Sequence, residues 1–205
     1  FSEEYEIALV LDSREQYGAG AGAASSFSSA GVDRADAALA TLAARGTRVE
    51  KRALVVGDAL WVARRKACAP PLAGGWTHAS SSEFALDLVI ERKRADDLVH
   101  SLRSGRLARQ RWGLARCGLR TGALLVEGDA RVLMAGDASS GGHHHHHTAA
   151  RAHKAVCSAS AGAEVGDGLV VLRTAHAAET FRLYADLTAE LEGLYGPLTE
   201  ADGGG

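Results

Sequence analysis

Cysteine is scarce in this 205-residue chain: Cys68, Cys117 and Cys157 are far apart, odd in number and without metal-ligand spacing. That excludes a disulfide scaffold and a thiolate metal cluster, and it fits a reducing compartment. No apolar run reaches bilayer-spanning length and no secretory leader is visible, so no membrane association is expected. An excess of positive charge is missing too. The 23 basic residues face 25 acidic ones, a net charge of -2, so any nucleic-acid footprint must be local. The chain opens on Phe1 rather than Met, as an excised domain would.

What is present suffices for one α/β domain with a real core, although the 46% hydrophobic content leans heavily on alanine. The chain is organised around Glu91-Arg92-Lys93-Arg94-Ala95-Asp96-Asp97, which closes the strand-like run from Phe84 to Ile90. Alternation sends Phe84, Leu86, Leu88 and Ile90 to one face, read as the packed side, and Asp87, Val89, Glu91 and Lys93 to the other. A carboxylate and an ammonium then sit side by side at the end of a buried strand, an expensive place for charge without compensation. The pair suits metal-assisted phosphodiester cleavage. Glu91 supplies a hard oxygen for Mg2+, and Lys93 holds the attacking water or offsets charge on the phosphate. Alone, an acid and a lysine two apart are more often a surface ion pair. Downstream, however, between Glu91 and Arg120, Arg92, Lys93, Arg94, Arg103, Arg106, Arg109, Arg111, Arg116 and Arg120 face only Glu91, Asp96 and Asp97. That is a local footprint of the kind a nuclease needs.

Glu91-Arg92-Lys93 followed by Asp97 resembles the ERKxxxD motif of the XPF-type structure-selective nucleases. Gly57-Asp58 is similar to the GD preceding it there, and Leu11-Asp12-Ser13-Arg14-Glu15 to the LDxRE element. The Trp61-Val62-Ala63 context, Gly105-Arg106, Gln110 and Leu114 resemble the crossover-junction branch, whose catalytic subunit is the Mus type. The resemblance covers roughly Leu9 to Tyr195. It implies a restriction-endonuclease-like α/β fold of the PD-(D/E)XK type, a mixed central sheet flanked by helices. It implies a metal-dependent endonuclease acting on branched DNA, with Asp12, Asp58 and Glu91 holding one or two Mg2+ (Mn2+ able to substitute). Lys93 would serve the water, and Asp97 occupies the family's further acidic position. Arg14, Glu15, Arg92, Arg106, Arg109 and Gln110 are implied as groups positioning or contacting substrate. A non-catalytic Eme-type subunit is the implied partner, forming a heterodimer, and the nucleus the implied location. The alternatives left open are an excision-repair XPF-type nuclease and a catalytically silent DNA-binding subunit, though the latter usually lacks the acids of this motif.

Along the chain, Ile7 to Asp12 reads as a first strand, and Gly18 to Gly31 as a flexible loop. Its Gly18, Gly20 and Gly22 do not complete a dinucleotide fingerprint. Val32 to Ala44 reads as a helix; Thr47 to Lys51, Leu54 to Val56 and Ala59 to Ala63 as strands; and 66–82 as a breaker-rich loop holding Trp76 and His78. Asp96 or Asp97 is expected to cap a helix reaching Ser104, with a second helix from Arg106. Strands at Ala123 to Glu127 and Leu169 to Thr174 and helices at Arg151 to Ser160 and His176 to Tyr195 follow, with Val132 to Met134 packed nearby. The five histidines His143 to His147, beside Gly141-Gly142, read as a low-complexity surface loop. In the closing helix Phe181, Tyr184, Leu187, Leu191 and Leu194-Tyr195 form one stripe, and Leu183, off that stripe, is the expected partner contact. The nuclease domain is expected over 1–198 and a linker from 199, with the helix-hairpin-helix module of the family absent from this chain.

Overall fold

The computed structural model describes residues 4–15, 39–66, 83–130, 132 and 144–195. The expected glycine-rich loop, the 66–82 loop beyond Lys66 with Trp76 and His78, Cys68, Met134, His143 and the linker from 199 lie outside the described residues. So does the expected helix before residue 39.

The alternating apolar stretches become six strands: β1 Tyr5–Asp12, β2 Val49–Arg52, β3 Ala59–Arg65, β4 Glu83–Arg94, β5 Thr121–Glu127 and β6 Val170–Thr174. They form one mixed sheet in the order β2-β1-β3-β4-β5-β6. β3 runs antiparallel to both β1 and β4, whereas the β1–β2, β4–β5 and β5–β6 pairs are parallel. Parallel pairing requires crossovers, which here are helices on the sheet faces. The helices are α1 (39–44), α2 Ala95–Arg103, α3 Arg106–Arg116, α4 His144–Asp167 and α5 Ala177–Tyr195.

Each face of the sheet has its own core. On one side Ile7, Leu9, Leu11, Trp61, Leu86, Ile90 and Leu125 meet Leu42 of α1 and Phe181, Tyr184 and Ala185 of α5. Trp61 is fully buried; its indole N–H donates to Thr188 Oγ1 at 2.8 Å and its ring meets Tyr184 edge-on at 5.9 Å. Burial of a large ring whose polar edge is satisfied is among the strongest local anchors available to a fold. On the other side Val89, Leu124 and Val126 pack against Leu98, Leu107, Leu114 and the small stripe Ala152, Val156, Ala159 and Ala163. Both faces of β4 are therefore packed, not one, because helices cover the sheet on each side.

Several expectations change. Leu54–Val56 is not a strand: it is the loop that delivers Gly57-Asp58, Val55 is fully exposed, and the Leu54 carbonyl accepts from Arg14 instead of joining a ladder. Phe84 is 49% exposed, near the far end of β4, where it pairs with Ala63 and the Tyr5 ring stands 6.0 Å away. Val132 is exposed as well. The residue before α2 is Arg94, without a side-chain cap, and Asp96 and Asp97 lie inside the first turn. The histidine run is not a loop, because α4 begins at His144. Leu183 packs partly against the first core and Leu194 is the exposed one, so the reason for assigning Leu183 to a partner is gone.

Candidate active site

Gly57 has φ +76°, and a Cβ there would lie 2.5 Å from Val89 Cγ2 and 3.0 Å from the Ile90 carbonyl oxygen. Only glycine fits, so the chain turns tightly against β4 and places Asp58 at the start of β3. Asp58 is stitched to both neighbouring strands. Its N–H donates to the Ile90 carbonyl at 2.8 Å, its carbonyl accepts from the Asp12 N–H at 2.8 Å, and its Oδ2 accepts from the Arg92 N–H at 2.8 Å. Burial, then the charges of Glu91 and Glu15, push the Asp58 carboxyl up to about 7.

Glu91 and Lys93 share a face as their spacing requires, with Lys93 Nζ 3.1 Å from Glu91 Oε1. Gln110, one turn from Arg106 on α3, donates its amide to the same oxygen. Its own Oε1 is buried without a hydrogen-bond partner among the described residues. At the mouth Arg14 lies over Asp12, donating from its backbone N–H and Nε to Oδ1 at 3.0 Å each and from Nη2 to Oδ2 at 2.6 Å. These bonds hold the Asp12 carboxyl below the ordinary carboxylate range. Its low exposure comes from that exposed arginine rather than from depth. Glu15, half-buried next to the site, is raised by burial.

One cleft of about 420 Å³ gathers Asp12, Arg14, Glu15, Asp58, Glu91, Arg106, Arg109 and Gln110. The structure thus brings together the three proposed ligands and most of the proposed substrate groups. Asp97 stands apart. It is exposed and lines an adjoining cleft of about 510 Å³ with Lys93, Arg94, His100 and Arg106. Arg92 was expected to contact substrate, yet it is 3% exposed. Its guanidinium crosses to the opposite face, where Nε and Nη2 clasp Glu127 at 2.8 and 2.5 Å and Nη1 reaches Glu15 at 2.9 Å. It is a buried brace. Arg94 and Arg111 are likewise paired, with Asp96 and Asp167, whereas Arg106 and Arg109 are exposed and without an ion-pair partner among the described residues. In the sequence Glu127 is only the end of a strand; no local pattern distinguishes it. Of the described histidines, His100 Nδ1 contacts the Asp96 carbonyl and His153 stands between Asp129 and Cys157, outside the cleft's acid cluster.

A hard divalent cation fits the deep corner. Asp58 and Glu91 offer oxygens only, burial and the neighbouring acids push Asp58 up to about 7, and Gln110, whose amide reaches Glu91, brings a further buried oxygen to the same cleft. Among the described residues no three of His, Cys, Asp and Glu stand close enough to grip an ion as they lie, since Asp12 is turned onto Arg14. Two carboxylates with water completing the shell are a normal Mg2+ environment.

The crossover junction endonuclease mus81 of Aspergillus fumigatus is 32% identical over 194 residues, 95% of this chain and 28% of that protein. Crossover junction endonuclease MUS81 of rice is 31% identical over 95% of this chain and 23% of its own length. The human structure-specific endonuclease subunit MUS81 is 34% identical over 70% of this chain and 22% of its length. The chain thus spans about a quarter of the length of the curated relatives it matches. XPF from Aeropyrum pernix, solved in complex with DNA, aligns with a TM-score of 0.52 at 18% identity over 96% of this chain and 69% of that one. That likeness fixes the fold as the expected restriction-endonuclease-like one, a mixed sheet between helices. A family model described as the ERCC4 domain matches residues 12–187, and the chain belongs to that family.

Proposed function

We propose that this chain is the nuclease domain of a structure-selective DNA endonuclease that cuts branched DNA (3′ flaps, replication forks and nicked junctions) in recombination and repair. The observation that carries this is the corner where Asp58 and Glu91 converge with Lys93 beneath a rim of exposed arginines, Arg106 and Arg109. The names of the relatives, crossover junction endonuclease and structure-specific endonuclease subunit, support the same reading. The crossover-junction reading is favoured over the excision-type alternative by relatives of that name 31–32% identical over 95% of the chain. A silent scaffold is disfavoured because the motif acids and Lys93 are present, with Asp12, Asp58 and Glu91 in one cleft and Lys93 against Glu91.

Asp58 and Glu91 would hold Mg2+, or Mn2+ in its place, and Asp12 would join them once Arg14 releases it. Bound there, the ion supplies Lewis-acid polarisation of the phosphate and a more acidic water. Gln110 holds the orientation of Glu91 through its amide. Lys93 keeps an ammonium 3.1 Å from Glu91 Oε1, where it can position a water or offset charge on the scissile phosphate. Arg106 and Arg109, free of ion-pair partners among the described residues, are placed to take neighbouring phosphates. The proposed place of action is the nucleus. The proposed partner is a related non-catalytic subunit of the Eme type, consistent with relatives named as subunits.

The test is cleavage of a labelled flap and of intact duplex by the full-length protein with its partner, with and without Mg2+. The flap should be cut and the duplex spared, and Glu91→Gln should lower the rate by more than about a hundredfold while DNA affinity holds. Near wild-type cutting by that variant would remove Glu91 from the chemistry.

A further inference from the structure

Residue 92 divides its two halves between the two faces of the molecule. Its backbone N–H holds Asp58 Oδ2 inside the cleft, while its side chain runs to the face covered by α5. There Glu127 takes the guanidinium with both oxygens, and the two are 4% and 3% exposed. Glu127 is itself held. Thr180, fully buried in the first turns of α5, donates its hydroxyl to Glu127 Oε2 at 2.7 Å and meets the Thr174 hydroxyl at 2.8 Å. An ion pair so buried adds little net stability compared with apolar residues of similar volume, because desolvation offsets the attraction. What this pair does supply is direction: a fork with both arms seated has one orientation. That orientation bears on the cleft twice, at Asp58 through the backbone and at Glu15 through Nη1.

We infer that Glu127 and Thr180 are positioning residues for the proposed nuclease centre. They act through Arg92 on Asp58 and Glu15, and so make the start of the closing helix a working part of a site on the far side of the sheet. The inference rests on the nuclease reading for its catalytic consequence but not for its structural one. The Thr180 hydroxyl ties α5 to the brace by a hydrogen bond, and Tyr184 on the same helix lies close enough to act on the Arg92 charge; losing the hydroxyl loosens Arg92 without emptying the core.

The experiment compares Thr180→Val, which keeps shape and loses the donor, with Thr180→Ser, which keeps the donor, and with Glu127→Gln, in the full-length protein with its partner. Two readouts are taken: Michaelis kinetics on a flap, and hydrogen–deuterium exchange of the segment around Arg92 without DNA or metal. Thr180→Val should lower kcat by about tenfold with KM within twofold, and Glu127→Gln by up to about a hundredfold, as outer-sphere changes do. Thr180→Ser should restore kcat to within about twofold of wild type. Exchange at the Arg92 amide should quicken in Thr180→Val and Glu127→Gln and not in Thr180→Ser. Equal impairment in the Val and Ser variants would make Thr180 a packing residue and overturn the inference, as would an unchanged Arg92 amide in Thr180→Val. If Glu127→Gln does not fold, the threonine pair decides alone. A wild-type protein that cuts no branched DNA fails the nuclease reading instead, and the exchange measurement still decides the brace.

Discussion

Asp12 and Asp58 line the same cleft and are joined directly, the Asp12 N–H donating to the Asp58 carbonyl, yet their carboxyls are driven in opposite directions. Asp12 is held low by an arginine that reaches it from solvent, while Asp58 is pushed up to about 7 by burial and by Glu91 and Glu15. Low exposure is common to both, so burial alone does not set ionisation. What differs is depth, and with it whether positive charge is already in place. At the mouth the protein brings its own cation, Arg14. In the deep corner it leaves a deficit that Lys93 only partly fills, which is where an external cation gains most.

The largest expected effect separates the two corners by stability. A folded carboxyl at about 7 against 3.8 unfolded means the folded protein binds the extra proton between those values. Stability should then fall as pH rises through that window, by at most about 1.4 kcal/mol per unit from this one group. Asp58→Asn keeps the acceptor for the Arg92 N–H and removes the Asp58 share of the slope, leaving that of the raised Glu15. It should melt above wild type at pH 8 and level with it at pH 4. Coincident melting curves at pH 8 would deny the deficit.

Mg2+ should sharpen the contrast next. Without DNA, it should raise the wild-type Tm at pH 8 and far less at pH 5, where Asp58 carries a proton, and Asp58→Asn should lose most of the rise. Equal shifts at both pH values would place the cation elsewhere. The smallest effect belongs to the mouth. Asp12 is lowered, so its contribution is present above the unfolded value and lost as pH falls through the folded one. Arg14→Ala should therefore move the acid limb of the stability profile toward higher pH, leaving the slope between pH 5 and 7 as it was. A change in that neutral slope instead would mean that Arg14 acts on Asp58, not Asp12.

The strands, the order of the acids and the helices on either side of residue 105 were legible in the sequence, because apolar alternation and charge at a strand end are local signals. Glu91 beside Lys93 follows from a spacing of two and needs no tertiary information. The brace was not legible. Glu127 meets Arg92 only because β5 pairs parallel to β4 in a register that sets Arg92 opposite Leu125. Thr180 joins them only because α5 returns across that face. Leu54–Val56 misled for a related reason: three apolar residues read as a strand, but Gly57 can approach β4 only if the chain before it leaves the sheet.

Between Leu60 and Val62 the β3–β4 pairing slips, so that Trp61 alone faces Leu86, Asp87 and Leu88. The surplus is two residues, an even number, and the side chains on either side of the irregularity keep their faces. β4 therefore counts in pairs. Deleting two residues from the surplus would shorten the strand and leave Glu91, Lys93 and Arg92 pointing as they do. Deleting one would set the first half of the strand against the second, exchanging inside for outside. Length variation in this strand is thus tolerable in steps of two and disruptive in steps of one, a parity rule that a deletion series would expose as alternation between folded and unfolded products.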